Sequence, residues 1–323
     1  MVALDPGTAP ARETYGLLIG GVAPRPIALV ATLSAQGERN LAPFSYFNAF
    51  GIHPPMVAFS PTRRGKGGSF KDTYLNIVET GECTIQAVTR DIAEQVSLTS
   101  AEFPHGVDEF VKSGLTPVPS ERVRPPRVGE SPFQMECRLQ QMIPLGDQPG
   151  SGNLALCEVL LFHVSAALWR DGKFDTAHAG LVGRSGGDFY THAAGSALFE
   201  LPRPAGSSMG YDGLPEWVRH SEVLSAGNLA LLAAVEKPPS VEEAVAWAQQ
   251  LPRPGAGAVL TRIYAKLRHG GDPLALAGLA LGLCEKGRAR LRHFETAARR
   301  AIECGDTATA WKLLLFAGQR FEK

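Results

Sequence analysis

The chain has 323 residues, 44% of them hydrophobic, and its 32 basic and 32 acidic side chains cancel to a formal net charge of zero. That length holds one large domain or, more simply, two of ordinary size, and the apolar content suits a packed core rather than a disordered chain. Neutrality argues against whole-chain attraction to nucleic acid or an anionic membrane, and no run of about 18 apolar residues lacks charges or helix breakers, so no membrane span is expected.

Residues 1–20 carry acids early and have no apolar core behind a basic start, so they read as a loose lead-in and not as a secretory signal. Ile27–Leu33 is a β-branched apolar run, SAQGER after it is turn chemistry, and Asn40–Phe44 resumes the strand, which predicts a hairpin. Met56–Ser60 predicts a further strand, entered through Pro54-Pro55. After the basic, glycine-rich loop PTRRGKGGS, Phe70, Tyr74, Ile77 and Val78 fall at helical spacing. Ser69 with Asp72 resembles a capping pair for that helix, and Gly81 follows its end.

Cys83–Val88 alternates like a strand, and Asp91–Leu98 predicts a short helix with Asp91 as its N-cap. GVDEFVKSGLTPVPSERVRPPRVGESP, rich in Pro and Gly, predicts an extended surface excursion. Phe133–Ile143 and Leu154–Ala167 flank the turn-forming GDQPGSGN and are expected to pair antiparallel. Adjacent strands outnumber helices here, which favours an antiparallel barrel with attached helices over a doubly wound sheet. Beyond the linker-like LPRPAGSSMGYDG, β-branched runs nearly vanish. Ser240 with Glu243 is a capping box, Asp272-Pro273 an N-cap with proline at the first helical position, and Gly305-Asp306 the junction of two helices. Residues 213–323 therefore read as antiparallel helices stacked in pairs. LPRP recurs at Leu201 and Leu251 without wider similarity and is treated as chance.

Aromatics with backbone access suit a flat ring, and a basic glycine loop before a helix start suits an anion, so residues 40–77 suggest a site for a ring carrying a phosphate. The competing explanations are a solvated loop before an ordinary capped helix, and alternation that merely places Phe44, Tyr46, Phe47 and Phe50 in a core with Asn40, Ser45 and Asn48 outside it. Arg25, held between Pro24 and Pro26, either faces a ligand or lies on the surface; GRSGGDFY, residues 183–190, is in isolation only a turn. Glu94, Glu102, Asp108 and Glu109 read as a solvated face. No Walker A loop, dinucleotide fingerprint, nucleophile elbow, metalloprotease helix or kinase set is present. The five cysteines (Cys83, Cys137, Cys157, Cys284, Cys304) and eight histidines lack metal or disulfide spacing, which fits a reducing cytoplasm without a zinc site.

Four stretches in order, PRPIALVATLSAQGERNLAPFSYFNAF, SFKDTYLNI, PPRVGESPFQMECRL and GRSGGDFY, resemble the flavin reductase-like, FMN-binding split-barrel family over roughly residues 15–200. The resemblance implies a split antiparallel β-barrel with attached helices over residues 1–205; the all-α domain of antiparallel helices over 206–323 is read from the caps and composition and lies outside the match. It also implies a homodimer with FMN near the subunit interface. By position, Asn40, Ala42, Pro43, Phe44 and Ser45 would lie along the isoalloxazine with Asn48 close by. Ser60, Ser69, Lys71, Asp72 and Thr73 would surround the ribityl chain and phosphate, with Arg25 a further candidate and Arg184 and Tyr190 in a late loop near the ring. His53 and the longer, more basic Arg63–Gly68 depart from the pattern.

The implied activity is an NAD(P)H-dependent flavin reductase in which the flavin carries the chemistry and no side chain acts as nucleophile or strong base. Two alternatives stay open: an FMN-binding module without turnover, and a scaffold that binds a protein partner through the C-terminal helices.

Overall fold

In the computed structural model, which describes residues 1–201, 203–204, 206–253, 258–283 and 287–321, the expected loose lead-in contains a helix, Ala11–Gly21 (α1). None of its residues is buried, and Tyr15, Leu17 and Leu18 are exposed. A two-residue strand, Arg25–Pro26 (β1), leads into Ala28–Leu33 (β2), and the SAQGER turn returns the chain as Arg39–Phe44 (β3). The expected hairpin is present, in register from Ala28 opposite Phe44 to Leu33 opposite Arg39. The chain bends at Ser45–Tyr46, so the aromatic run continues as a separate strand, Phe47–Ile52 (β4), paired with Pro55–Phe59 (β5).

The next helix, Asp72–Thr80 (α2), starts later than the sequence suggests. Ser69 is exposed and caps nothing; Lys71 occupies the N-cap position without a side-chain cap bond, and Asp72 lies in the first turn. Gly81 closes α2 in the left-handed conformation, φ 73°, a geometry that disfavours any side chain with a Cβ. Glu82–Ala87 (β6) follows, then a 3₁₀ turn at Arg90–Ile92 and Ala93–Leu98 (α3), with no side-chain cap from Asp91. The Pro/Gly-rich excursion is less extended than expected. It folds a capped helix, Glu109–Ser113 (α4), and two short paired strands, Pro117–Val118 (β7) and Arg127–Val128 (β8), and it buries Phe110, Leu115 and Val128.

Phe133–Pro144 (β9) and Asn153–Val164 (β10) pair antiparallel as expected. Trp169–Arg170 (β11) and Lys173–Phe174 (β12) form a small ribbon, and Leu181–Arg184 (β13) pairs with Tyr190–Ala193 (β14) and with β1. The large sheet runs β3-β2-β6-β9-β10-β5-β4, every neighbour antiparallel. Phe44 on edge strand β3 meets Phe59, from β5 near the opposite edge, with ring centroids 5.3 Å apart, so the sheet curls on itself into a split barrel. Its core holds Val30, Ile77, Ile85, Met135 and three free thiols, Cys83, Cys137 and Cys157, that are distant in sequence but adjacent across β6, β9 and β10. A hydrogen bond to Cys137 and burial push the Cys83 thiol well above its usual range. Cys284 lies outside the described residues.

The chain forms two compact units, residues 1–200 and 201–323, each with its own apolar core. The second unit is helical: Glu216–Arg219 (α5), Ala226–Ala233 (α6), Val241–Ala248 (α7), Ala258–Leu267 (α8), Pro273–Gly282 (α9), Arg288–Glu303 (α10) and Thr307–Phe321 (α11). Ser240 and Glu243 make the expected reciprocal capping box, Asp272 caps α9 through the Ala275 N–H, and Asp306 accepts from the Thr309 N–H at the start of α11. α5, α6 and α8 were not singled out in the sequence. In the repeated LPRP, Pro202 and Pro254 lie outside the described residues.

Candidate functional site

Where β3 ends and the chain turns, Pro43, Phe44 and Ser45 form one wall of a cavity of about 1040 Å³. Ser60, Thr62, Arg63 and Gly65, on the loop leaving β5, form a second wall, and Lys71 at the start of α2 a third. Pro149 and Gly150 of the β9–β10 turn and Arg12, Thr14, Tyr15, Leu18 and Ile19 of α1 complete it. Five of the predicted residues (Pro43, Phe44, Ser45, Ser60, Lys71) thus converge from three separate elements.

The cavity's polar character is cationic. The Lys71 ammonium lies 5.3 Å from the centre of the Phe44 ring. Burial, followed by the nearby Arg64 charge, pulls the Lys71 pKa below its ordinary value, with Glu102 opposing. No side chain caps α2, and the N–H groups of Asp72 and Thr73 have no acceptor among the described residues. A helix N-terminus left open beside a lysine is a site for an anion. The apolar and aromatic surface of Pro43, Phe44, Tyr15 and Leu18 lies in the same cavity. A flat ring with a phosphate tail fits that lining. Pro43–Ser45 would hold the ring; Lys71, Ser60 and the α2 amides would hold the tail.

The remaining predicted residues are placed otherwise. Asn40 is buried behind β3, its amide donating to Thr32 Oγ1 (3.1 Å) and Thr73 Oγ1 (2.9 Å); Thr73 is buried with it. These two fasten α2 to the sheet. Ala42 is half-buried against the barrel core. Asn48 lines a neighbouring cavity of about 420 Å³ that shares Leu18, Tyr46, Ser60, Thr62 and Gly150 with the first. Asp72 is paired with Arg64 (3.5 Å) and hydrogen-bonded to His105 (2.8 Å), which offsets the repulsion it would otherwise exert on an anion. Its carboxylate in turn raises the His105 pKa.

Arg25 is buried and does not line the cavity. Its guanidinium donates to the carbonyls of Ile19 (2.6 Å) and Val22 at the end of α1, and at 3.5 Å to Ser185 O and Ser45 Oγ. Arg184 and Tyr190 are register partners on β13 and β14, the guanidinium 4.6 Å from the ring centre, and they also lie outside this cavity.

Two carboxylates differ from a solvated face. Glu109 is buried, accepts the Leu41 N–H at 2.9 Å, and has its pKa raised by burial, while Asp108 caps α4 and pairs with Arg39. Glu136, not singled out in the sequence, is fully buried. It accepts N–H bonds from Glu121, Arg122 and Val123 and a 2.6 Å bond with His163 Nε2. Burial would raise its pKa, and those bonds outweigh burial and leave it below the ordinary value. The α1 residues of the cavity carry no motif in the sequence; Thr62 belongs to the basic glycine loop PTRRGKGGS and Pro149–Gly150 to the turn-forming GDQPGSGN, without having been singled out as site residues. Among the described residues no cluster of His, Cys, Asp or Glu could hold a metal ion, and no helix is long and apolar enough to cross a membrane.

Residues 20–178 match the flavin reductase like domain family. An uncharacterized protein of Halalkalibacterium halodurans is 36% identical over 203 residues, covering 62% of this chain and 96% of its own length. Nitrilotriacetate monooxygenase component B from Bacillus cereus superposes with a TM-score of 0.59 at 32% identity, covering 62% of this chain and 98% of that one. A 2-nitrobenzoate 2-nitroreductase from Pseudomonas fluorescens superposes with a TM-score of 0.56 at 26% identity, covering 64% and 99%.

Proposed function

This chain belongs to the flavin reductase like domain family, and from that premise we propose that it is an FMN-dependent NAD(P)H:flavin reductase. One observation carries the reading: the cavity in which Pro43–Ser45, Ser60 and Lys71 meet the open N-terminus of α2. A flavin bound there would supply the redox chemistry, accepting hydride at N5 from a reduced nicotinamide. The protein's own part is positional. Pro43 and Phe44 give the ring an apolar wall, Ser45 and Ser60 offer hydroxyls, and Lys71 with the α2 amides anchors the anionic tail. Arg25 acts on this site indirectly, by holding α1 and Ser45 in place.

The same reading includes a homodimer in a reducing cytoplasm. Support for the dimer comes from α1, which buries none of its own residues, and from Phe50 and Ile52 on edge strand β4, 64% and 80% exposed. The free thiols of Cys83, Cys137 and Cys157 agree with the compartment.

Purified protein is expected to be yellow or to take up added FMN, and to oxidise NADH or NADPH when FMN is present. A colourless protein that neither retains FMN nor consumes nicotinamide would sink the proposal. Retained flavin without nicotinamide oxidation would leave the non-catalytic binding module in its place.

A further inference from the structure

We propose that Arg12 and Arg63 form a second phosphate subsite in this cavity, additional to the one at Lys71; the proposal rests on the flavin reductase reading above. Three cationic side chains, Arg12, Arg63 and Lys71, line the cavity, and no carboxylate does. The acids nearby are engaged elsewhere or stand outside it. Asp72 is paired with Arg64 and His105, Glu102 acts on Lys71 from beyond the wall, and Glu13 follows Arg12 on α1 without lining the space.

Arg12 makes no hydrogen bond or ion pair among the described residues. Arg63 spends one Nη1 bond on Gly68 O (3.1 Å), and its Nε is buried with no acceptor. Its guanidinium lies 4.0 Å from the centre of the Phe70 ring, and Phe70 is stacked on Tyr74 with centroids 4.0 Å apart and planes within 5°. That stack holds the arginine fork in place before a ligand arrives, which lowers the entropy lost on binding.

Charge and space both exceed what a mononucleotide needs. One phosphate monoester carries about −1.5 to −2 at pH 7, which Lys71 and the half-charge at the α2 N-terminus largely match. Two arginines are then surplus, and uncompensated cations sharing a cavity repel one another. The volume, about 1040 Å³, also stands at the upper end of small-molecule pockets. The ligand that uses both arginines is a nucleotide with a further phosphate. Two sources share that chemistry: the adenylate half of a flavin adenine dinucleotide, and the extra phosphate that distinguishes NADPH from NADH.

Four ligands on the full chain separate them. Dissociation constants for FMN and flavin adenine dinucleotide come from flavin fluorescence, and kcat/KM for NADH and NADPH from steady-state oxidation. Arg12→Gln, on an exposed helix, and Arg63→Gln are each expected to weaken one phosphate-richer ligand about tenfold, the size of one lost charge-assisted bond. FMN and NADH should be weakened less than their phosphate-richer counterparts, and Arg63→Lys should restore part of the loss. A selective fall for flavin adenine dinucleotide assigns the subsite to the flavin; a selective fall for NADPH assigns it to the nicotinamide nucleotide. No change in any ligand, or equal changes within each pair, overturns the subsite while leaving the flavin reductase reading intact. Wild-type protein that binds no flavin at all overturns both.

Discussion

Lys71 and Glu136 are both charged and largely withdrawn from water, and the structure treats them in opposite ways. Burial and the Arg64 charge pull the Lys71 pKa below its ordinary value, so a bound anion would offset that pull and stabilise the ammonium. Lys71→Met is expected to weaken FMN binding roughly tenfold while riboflavin, which lacks the phosphate, is unaffected; fluorescence titration of the two flavins checks it. Glu136 is held ionised by three backbone N–H groups and His163. Its folded pKa lies below its unfolded one, so the unfolded chain binds more protons in the interval between them. The contribution to stability is complete above the unfolded value, about 4.3, and is lost as pH falls through the folded value. Glu136→Gln should cost about 2 kcal/mol at pH 7 and flatten the acid limb of the stability profile, read by denaturant melts from pH 3 to 7. The residue scale is also where sequence reading divides. Pro43–Ser45, Ser60 and Lys71, expected at a site from their position along the chain, do line one cavity. Asn40 and Thr73 have the same polar character, but their hydrogen bonds are consumed between α2 and the sheet, and a one-dimensional pattern does not say which polar atoms meet each other. Arg12 belongs to no motif, and nothing in the sequence brings it to the cavity.

Among the elements, α2 does two jobs with its two ends. Its N-terminus is left without a side-chain cap where the cavity needs donors, and its C-terminus is closed tightly by Gly81. A Cβ at Gly81 meets nothing within 4 Å, so Gly81→Ala tests backbone strain alone. It should cost about 1 kcal/mol by thermal unfolding, and Gly81→Asn less. In the second unit, Ser240→Ala removes one half of the α7 capping box and should cost about 1 kcal/mol with no effect on flavin binding. Strands and capped helices were legible because alternation, turn residues and capping pairs are local signals. β2, β3, β5, β6, β9 and β10 all announce themselves that way. α1 does not, because a helix with no buried face has no apolar period to read, and its Gly16, Gly20 and Gly21 look like loop.

At the scale of the whole molecule, the residues of each core lie on one side of the division near residue 200. A chain ending at Glu200 is therefore expected to unfold cooperatively and to keep the flavin affinity of the full protein; calorimetry and fluorescence titration check both. Loss of flavin binding in a folded truncation would show that the helical unit contributes to the site. The shift from β-branched runs to helical caps made the two-part organisation legible, whereas the three-thiol core was not, since its members stand 54 and 20 residues apart and only strand order joins them.

Arg25 fastens α1 chiefly through the carbonyl oxygens of Ile19 and Val22, groups that every amino acid carries. The anchor is consequently blind to side-chain identity. Substitutions along Ala11–Leu18 can alter what the helix presents to the cavity without loosening its mooring. The protein thus separates the part of the wall that can drift from the part that keeps it in place, and a change of ligand preference through α1 would require no rebuilding of the barrel beneath.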